Sequence, residues 1–211
     1  MSKGLFITFE GGDGVGKTTQ MRLLAEFLES TGFGVTVTRE PGGTPLGTQI
    51  RELVLHSRDH IAPRAEALLY AADRAHNIAT IVRPALERGD VVLQDRYFDS
   101  SVAYQGSGRV LGADDIKKIS LWAADDLIPD LTILLDLDQS AAAARLVAQD
   151  KPFDRFESEK ADFHEKVRRA FLDIAAHEPD RFLVVDASLP IDEISAVVTQ
   201  RVSVLLDNLK R

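Results

Sequence analysis

A glycine-rich stretch of eight residues constrains the fold of this chain more than any other feature of its sequence. Residues 11–18, GGDGVGKT, follow the pattern G-x-x-x-x-G-K-[ST]. They stand between an apolar run at residues 5–9 and a stretch of helical periodicity at residues 17–30. In this strand–turn–helix setting, the glycines let backbone N–H groups turn inward around a polyphosphate at the helix N-terminus. The stretch therefore predicts a phosphate-binding loop, called the phosphate loop below.

Short apolar runs without strict alternation recur along the chain, separated by longer amphipathic stretches. Strands of this kind are buried on both faces, which is typical of parallel sheets covered by helices. We therefore predict an α/β fold with about five parallel strands and helices on both faces. The predicted strands cover residues 5–9, 35–37, 91–93, 131–137 and 182–185. The predicted helices cover residues 17–30, 49–56, 63–81, 84–89, 114–127, 140–149, 162–177 and 191–209.

Composition limits the classes of protein that the chain can belong to. Its 211 residues, 45% of them apolar, suffice for a full core, so we expect a single domain over residues 1–211. The 25 basic and 33 acidic residues give a net charge of −8, which argues against a nucleic-acid partner. The chain has no cysteine, as suits the cytoplasm. Its longest apolar run covers only residues 67–72, so we expect no membrane span or membrane partner.

The phosphate loop indicates a nucleoside triphosphate and leaves the reaction open. Lys17 is placed to reach the outer phosphates, and the Thr18 hydroxyl is placed to hold Mg²⁺. A GTPase commonly carries N-K-x-D for guanine, and a protein kinase carries H-R-D and D-F-G; the sequence contains none of these. An ATP-driven motor or switch remains an alternative on the loop alone.

A second feature lies at the end of the third predicted strand, where Asp95 and Arg96 follow Gln94. In an open parallel sheet, the carboxyl ends of the strands face the ligand crevice. Asp95 can orient Mg²⁺ or its waters there, and Arg96 can clamp a phosphate. The alternative is an Asp–Arg pair on the surface, against which the direction of the strand argues.

Basic residues are spread over separate predicted loops and helices of this acidic chain. A site that transfers phosphate between two nucleotides must compensate a large negative charge. The candidates are Lys17, Arg39, Arg51, Arg74, Arg96 and Arg155. One face of the long helix carries Tyr70, Asp73, Arg74 and Asn77. That face is either solvated, or it offers a ring for base stacking and a guanidinium for a base or phosphate.

Together these motifs resemble the thymidylate kinase family, over about residues 5–157 and in the family's order. They are FEGGDGVGKTT at residues 9–19, TREPGGT at 38–44, ADRAH at 72–76, DRY at 95–97, SSVAYQG at 100–106 and DRFE at 154–157. The phosphate loop contains no arginine. The chain therefore resembles the bacterial type of the family, in which cations of a lid segment serve instead.

The resemblance implies a P-loop NTPase fold with a lid at about residues 146–160. It implies the reaction ATP + dTMP ⇌ ADP + dTDP with Mg²⁺, carried out by a homodimer. The implied ATP-binding residues are Gly11, Gly12, Asp13, Gly14, Val15, Gly16, Lys17, Thr18 and Thr19, with Arg145 against adenine. The implied dTMP-binding residues are Asp13, Arg39, Arg51, Tyr70, Arg74, Arg96, Ser101, Tyr104 and Gln105. Thr18 and Asp95 are the implied metal ligands.

Four of these residues are implied to surround the thymine base. Tyr70 takes the stacking position and Arg74 the base-reading position, while Ser101 and Gln105 line the base and sugar.

Three other residues are implied to face the sugar and the phosphate of dTMP. Arg96 would hold the phosphate, Asp13 would face the 3′-hydroxyl, and Tyr104 would crowd the 2′ position. The nucleophile is a phosphate oxygen that is already ionised at neutral pH, so no general base is required. Catalysis would be alignment and charge compensation by Lys17, Asp95 through Mg²⁺, Arg96 and the lid.

The lid is where the chain departs from the family pattern. Residues 149–153, QDKPF, contain less arginine than the family leads us to expect. Arg155 has a planar fork that can bridge two phosphates, so we expect it to be the second catalytic cation. Lys151 offers only a point charge and should contribute less. The alternative is that Arg155 pairs with a neighbouring carboxylate on an exposed surface.

Two other functions remain open on the sequence. The first is a kinase for a different nucleoside or monophosphate, which a panel of acceptors would separate. The second is an ATP-binding switch without an acceptor, which acceptor-dependent ADP production would separate.

Overall fold

The computed structural model describes residues 4–57, 60–107, 111–148 and 154–209. Within these ranges, five parallel strands form one sheet in the order β2-β3-β1-β4-β5, which confirms the predicted α/β class. The strands are β1 Leu5–Glu10, β2 Val35–Arg39, β3 Val91–Asp95, β4 Leu131–Asp136 and β5 Phe182–Asp186. An open parallel sheet of this kind presents the carboxyl ends of its strands along one edge.

Helices cover both faces of the sheet. They are α1 Lys17–Ser30, α2 Pro45–His56, α3 Pro63–Asn77, α4 Arg83–Arg88, α5 Phe98–Ser101, α6 Ala113–Ala123, α7 Gln139–Val147, α8 Ala161–His177 and α9 Ile191–Leu209. Two π-helical turns accompany them: Ile78–Val82 joins α3 to α4, and Val102–Ser107 follows α5. In the part of the chain that the structure describes, no helix is long and apolar enough to cross a membrane.

Strand β1 lies at the centre of the sheet and is buried along its whole length. Its side chains Leu5, Ile7 and Phe9 belong to a core cluster with α1 and α9, while Phe6 packs with Tyr97 and α4 on the other face. Burial on both faces explains the apolar run that predicted the strand. The phosphate loop therefore begins at the end of the central strand, which is buried on both faces.

Helix α2 begins four residues before the predicted start at residue 49. The Thr44 side chain accepts a hydrogen bond of 2.8 Å from the Gly47 backbone N–H, and Pro45 follows it in the first turn. A threonine cap followed by proline is a standard helix start. The sequence contained this signal at the end of the TREPGGT motif.

The long predicted helix from residue 63 is continuous as far as Arg88, with a π-helical turn where a break was expected. Pro84 has no N–H to donate to a carbonyl one turn back, and its ring needs extra room there. The wider turn Ile78–Val82 lies directly before it. Gly89, with φ 87°, ends the helix as predicted.

Helix α6 ends at Ala123, four residues before the predicted end at residue 127. Asp125 and Asp126 have φ of 50° and 53°, in the left-handed region that stops a right-handed helix. Helix α7 was predicted to end at residue 149, which lies outside the described residues.

The sequence did not predict the short helix α5 or the π-helical turn after it. The cap of α5 comes from far away in the chain, because the buried Glu10 carboxylate accepts hydrogen bonds from the backbone N–H groups of Tyr97 and Ser100. Their distances are 2.8 Å and 3.2 Å. No local sequence pattern reports such a contact.

A buried ion pair ties the start of β5 to α5. The Arg181 guanidinium donates to both oxygens of Asp99 at 2.7 and 2.9 Å, and it lies between the rings of Phe98 and Phe182. Asp99 is 1% exposed. A planar bidentate pair of this kind fixes both partners in orientation as well as distance.

Candidate active site

The phosphate loop is shaped by its close approach to β4. Gly11 has φ 128°, and a Cβ atom there would lie 2.4 Å from the Leu135 carbonyl oxygen. Only glycine fits such a position. The Lys17 ammonium donates to the carbonyls of Gly11 and Gly12 at 3.2 and 2.7 Å, so its charge lies within the curve of the loop. Burial, followed by the nearby charge of Arg96, lowers the pKa of Lys17.

Arg96 joins the end of β3 to the phosphate loop. One guanidinium nitrogen donates to Asp13, and the other donates to the Gly11 carbonyl and the Ser100 hydroxyl, each at 3.1 Å. The guanidinium carbon lies 5.0 Å from the centre of the Tyr104 ring. Burial would raise the pKa of Asp13, but the charges of Arg96 and Lys17 outweigh it and lower the pKa to about 2. Asp13 is therefore a carboxylate at neutral pH.

A cavity beside this pair gathers most of the predicted acceptor residues. It is lined by Asp13, Arg51, Tyr70, Arg74, Arg96, Ser101, Tyr104 and Gln105, together with Glu40 and Phe156. Seven of these side chains come from the phosphate loop, α2, α3, α5 and the π-helical turn after it, while Arg96 follows β3, Glu40 follows β2 and Phe156 precedes α8. Arg39 is exposed and lies elsewhere, in a second cavity with Thr18 and Asp95. The cavity containing Arg96 is called the acceptor cavity below.

The polar face of α3 is buried rather than solvated. Arg74 is 1% exposed, and its guanidinium donates to Glu40, Ser120 and Ser101 at 2.9, 2.9 and 3.1 Å. Burial raises the pKa of Glu40 to about 7, against the opposing charge of Arg74. Asn77 donates to Gln94 at 3.2 Å. The guanidinium of Arg74 is thus held in one orientation at the wall of the acceptor cavity.

Thr18 and Asp95 both line the cavity that Arg39 lines. The Oδ1 atom of Asp95 is buried and has no hydrogen-bond partner among the described residues. A hydroxyl and a carboxylate oxygen suit a hard cation such as Mg²⁺. In the described ranges, no group of three or more histidine, cysteine, aspartate or glutamate side chains could hold a metal ion. These residues fit a metal that takes most of its ligands from phosphates and water.

The structure places Arg155 against α2 and α3. Its guanidinium donates to the Val54 carbonyl at 2.9 Å and to the Glu66 carboxylate, and it lies over the Phe156 ring. Its partner is therefore Glu66, which is 1% exposed, rather than the neighbouring carboxylates considered from the sequence. Lys151 lies outside the described residues.

Arg145 does not line the acceptor cavity. It is exposed on α7 and donates to the Ala187 carbonyl at 3.0 Å, just beyond the end of β5. Gly14 of the loop approaches the same helix, because a Cβ atom there would lie 2.9 Å from the Ala142 carbonyl oxygen.

Comparison with known proteins identifies the family. A sequence model of the family described as thymidylate kinase matches residues 9–198. The chain belongs to the thymidylate kinase family. It is 66% identical to the thymidylate kinase of Clavibacter michiganensis subsp. michiganensis, over 96% of both chains. It is 65% identical to that of Leifsonia xyli subsp. xyli, over 94% of both chains, and 51% identical to that of Deinococcus radiodurans, over 96% of this chain and 98% of the relative.

Three buried glutamates orient residues of the site, and the sequence alone assigned them no role. Glu40 holds Arg74, Glu66 holds Arg155 and Gln105, and Glu10 holds α5. Glutamate is almost never fully buried unless it is paired. Glu10 and Glu40 lie inside quoted motifs, but their partners were not visible because each partner is distant in sequence.

Proposed function

We infer that this enzyme is a thymidylate kinase that transfers the γ-phosphoryl group of ATP to dTMP, giving ADP and dTDP for dTTP synthesis. The observation that carries the mechanism is the junction of the phosphate loop and the acceptor cavity at Asp13 and Arg96. At this junction a phosphate held by the loop and a phosphate in the acceptor cavity would lie close to one charged pair. In-line transfer requires that kind of proximity.

The test is an ADP-release assay with a panel of acceptors: dTMP, dUMP, dCMP, dGMP, UMP and thymidine. We expect ADP release to depend on the acceptor and to be fastest with dTMP. A preference for another monophosphate would make the enzyme a different small-molecule kinase. Equal ADP release with and without acceptor would make it an ATP-driven switch.

On the donor side, the backbone of the phosphate loop and Lys17 would cradle the β- and γ-phosphates of ATP. Arg145 would lie against adenine. Thr18 and Asp95 would hold Mg²⁺, which would supply positive charge to offset the negative charge of the phosphates. The buried Asp95 Oδ1 atom, for which the described part of the chain provides no hydrogen-bond partner, supports this assignment.

On the acceptor side, Arg96 would hold the phosphate of dTMP and Arg74 would read the base. The Asp13 carboxylate, ionised at neutral pH, would accept a hydrogen bond from the 3′-hydroxyl. The attacking phosphate oxygen needs no general base. The residues of this chain therefore contribute alignment and charge compensation.

Tyr70→Ala should raise the KM for dTMP by about ten- to a hundredfold and leave the KM for ATP nearly unchanged. The ring lines the acceptor cavity, and stacking of a base on an aromatic ring is worth about 1–3 kcal/mol. Steady-state kinetics with each substrate varied in turn measures the difference. Tyr70→Phe keeps the ring and is the matched control. A loss of ATP affinity with dTMP affinity retained would show that Tyr70 does not contact the base.

Tyr104→Ala should reduce discrimination against a 2′-hydroxyl by about tenfold. The Tyr104 hydroxyl lies 3.4 Å from the Asp13 carboxylate, so its ring stands where the sugar would bind. The ratio of kcat/KM for dUMP and UMP measures this, because the two differ only at the 2′ position. Tyr104→Phe keeps the packing of the ring on Phe156 and should retain the wild-type ratio. An unchanged ratio in Tyr104→Ala would remove the residue from this role.

Arg155 is our candidate for the second cation at the transferring phosphoryl group. Its present partners are Glu66 and the Val54 carbonyl, so it would have to leave them during the reaction. We also propose that residues 1–211 act as one kinase domain with a lid at about 146–160. Of that lid, residues 149–153 lie outside the described residues.

We further propose that the enzyme is a cytoplasmic homodimer. Leu53 on α2, Leu68 on α3 and Trp122 on α6 are all more than half exposed, and α3 packs against both other helices. Large exposed apolar side chains on adjoining helices are typical of a surface that another subunit covers. Light scattering after size-exclusion chromatography would test the dimer, and a monomeric mass would contradict it.

A further inference from the structure

Glu10 is a buried carboxylate that touches the acceptor site only through other residues. It is 0% exposed at the end of β1, directly before the phosphate loop. One of its oxygens accepts the backbone N–H bonds from Tyr97 and Ser100, and the other accepts a hydrogen bond of 2.5 Å from the Ser100 hydroxyl. Three donors on one carboxylate form a well-satisfied buried group.

These donors flank Arg96 on its C-terminal side. Arg96 has φ 64°, a left-handed backbone conformation that is uncommon for a residue with a side chain. Its own N–H donates to the Phe9 carbonyl at 2.9 Å, and the next N–H, that of Tyr97, donates to Glu10. The last two residues of β1 therefore hold the backbone on both sides of the strained position. Such strain persists only where surrounding contacts over-determine it.

A second connection runs from Glu10 to the guanidinium itself. The Ser100 hydroxyl donates to Glu10, and its oxygen accepts a hydrogen bond of 3.1 Å from Arg96. Because the hydroxyl proton is committed to Glu10, the serine oxygen presents a lone pair to the arginine. We infer that Glu10 is a positioning residue that fixes the backbone and the guanidinium of Arg96 for the acceptor phosphate.

This inference rests on the proposed function, in which Arg96 holds the phosphate of dTMP. A merely structural role for Glu10 would affect folding, or would affect every ligand of the acceptor cavity equally. A positioning role predicts a loss confined to the phosphate. Thymidine, which shares base and sugar with dTMP but has no phosphate, separates the two roles.

The experiment measures the affinities of the full-length enzyme for dTMP and thymidine by titration calorimetry. In Glu10→Gln we expect about tenfold weaker dTMP binding, with thymidine affinity unchanged within twofold. The neutral side chain suits this buried position, because burial and then the charge of Asp99 raise the pKa of Glu10 to about 7. Arg96→Ala is the reference and should bring dTMP affinity down towards that of thymidine.

Asp99→Asn is the matched control, because Asp99 is a neighbouring buried carboxylate whose partner is Arg181. It should lower the melting temperature and leave both affinities within twofold. If Glu10→Gln does not fold, Ser100→Ala replaces it, since it removes the hydroxyl between Glu10 and Arg96; the same selective loss is expected.

The possible outcomes distinguish a failure of the inference about Glu10 from a failure of the proposed function. If the wild-type enzyme binds dTMP no better than thymidine, or Arg96→Ala keeps the difference, the proposed role of Arg96 is wrong and the inference falls with it. If both hold but Glu10→Gln keeps wild-type affinity for dTMP, or weakens dTMP and thymidine equally, the inference alone is overturned.

Discussion

Lys17→Ala is expected to lower kcat by about 10³-fold or more while the enzyme remains folded. Lys17 is the one lysine or arginine within the phosphate loop, and its ammonium lies 2.7 Å from the Gly12 carbonyl inside the loop's curve. In the transition state charge is spread over the phosphoryl oxygens and develops on the leaving oxygen, so a preorganised cation there stabilises it more than the ground state. Single cations in related chemistry contribute about 10³–10⁵-fold.

Steady-state ADP release with saturating ATP and dTMP measures this loss. Circular dichroism and thermal melting show whether the variant folds. Lys166→Ala, which removes an exposed lysine on α8, is the matched control and should turn over at the wild-type rate. Wild-type turnover in Lys17→Ala would overturn the assignment of residues 11–18 as the catalytic phosphate loop.

Arg155→Ala is expected to lower kcat by about 10²-fold, with a smaller change in the KM for either substrate. The phosphate loop has no arginine, so a second positive charge at the phosphoryl group has to come from elsewhere in the chain. The planar guanidinium can contact two phosphates at once. Lys151→Ala should have the smaller effect, because an ammonium group supplies only a point charge.

Glu66→Gln decides between this role and a structural one. Glu66 holds both Arg155 and Gln105, the latter at 3.1 Å. If Arg155 acts at the phosphoryl group, neutralising Glu66 leaves that charge available and kcat stays within a few fold of wild type. If Arg155 serves only to attach residues 154–157 to α3, both variants will show the same loss, mainly in the KM for dTMP. Equal losses in the two variants would therefore reject Arg155 as a catalytic cation.

The fold was accessible from the sequence because its signals are local. The buried strands read as apolar runs, and residues 11–18 carry the strand–turn–helix pattern that the structure shows. Thr44 and Pro45 carry the start signal of α2, but the helix was predicted only from residue 49. The π-helical turns could not be predicted from the sequence, because the periodicity of a short window does not distinguish them from an α-helix.

The contacts that orient the site were not accessible, because their partners are far apart along the chain. Arg155 and Glu66 are separated by 89 positions, and Glu10 and Tyr97 by 87. A charged residue in a helical pattern is solvated in most proteins, and only tertiary packing decides otherwise. Sequence reasoning thus proposed which side chains approach the nucleotides and could not identify the carboxylates that hold them.

The π-helical turn Ile78–Val82 lets the helix that carries Tyr70 and Arg74 lose one residue without turning their side chains away from the acceptor cavity. In an α-helix each residue advances the side chains by about 100° around the axis. Loss of one exposed residue such as Ala79 would let the turn relax to ordinary helix, with little cost in buried surface. An ordinary turn completes the same rotation with one residue fewer, so Tyr70 and Arg74 would still face the cavity after this deletion. The same deletion in a helix of regular turns would rotate the preceding residues by about 100° and move their side chains to another face.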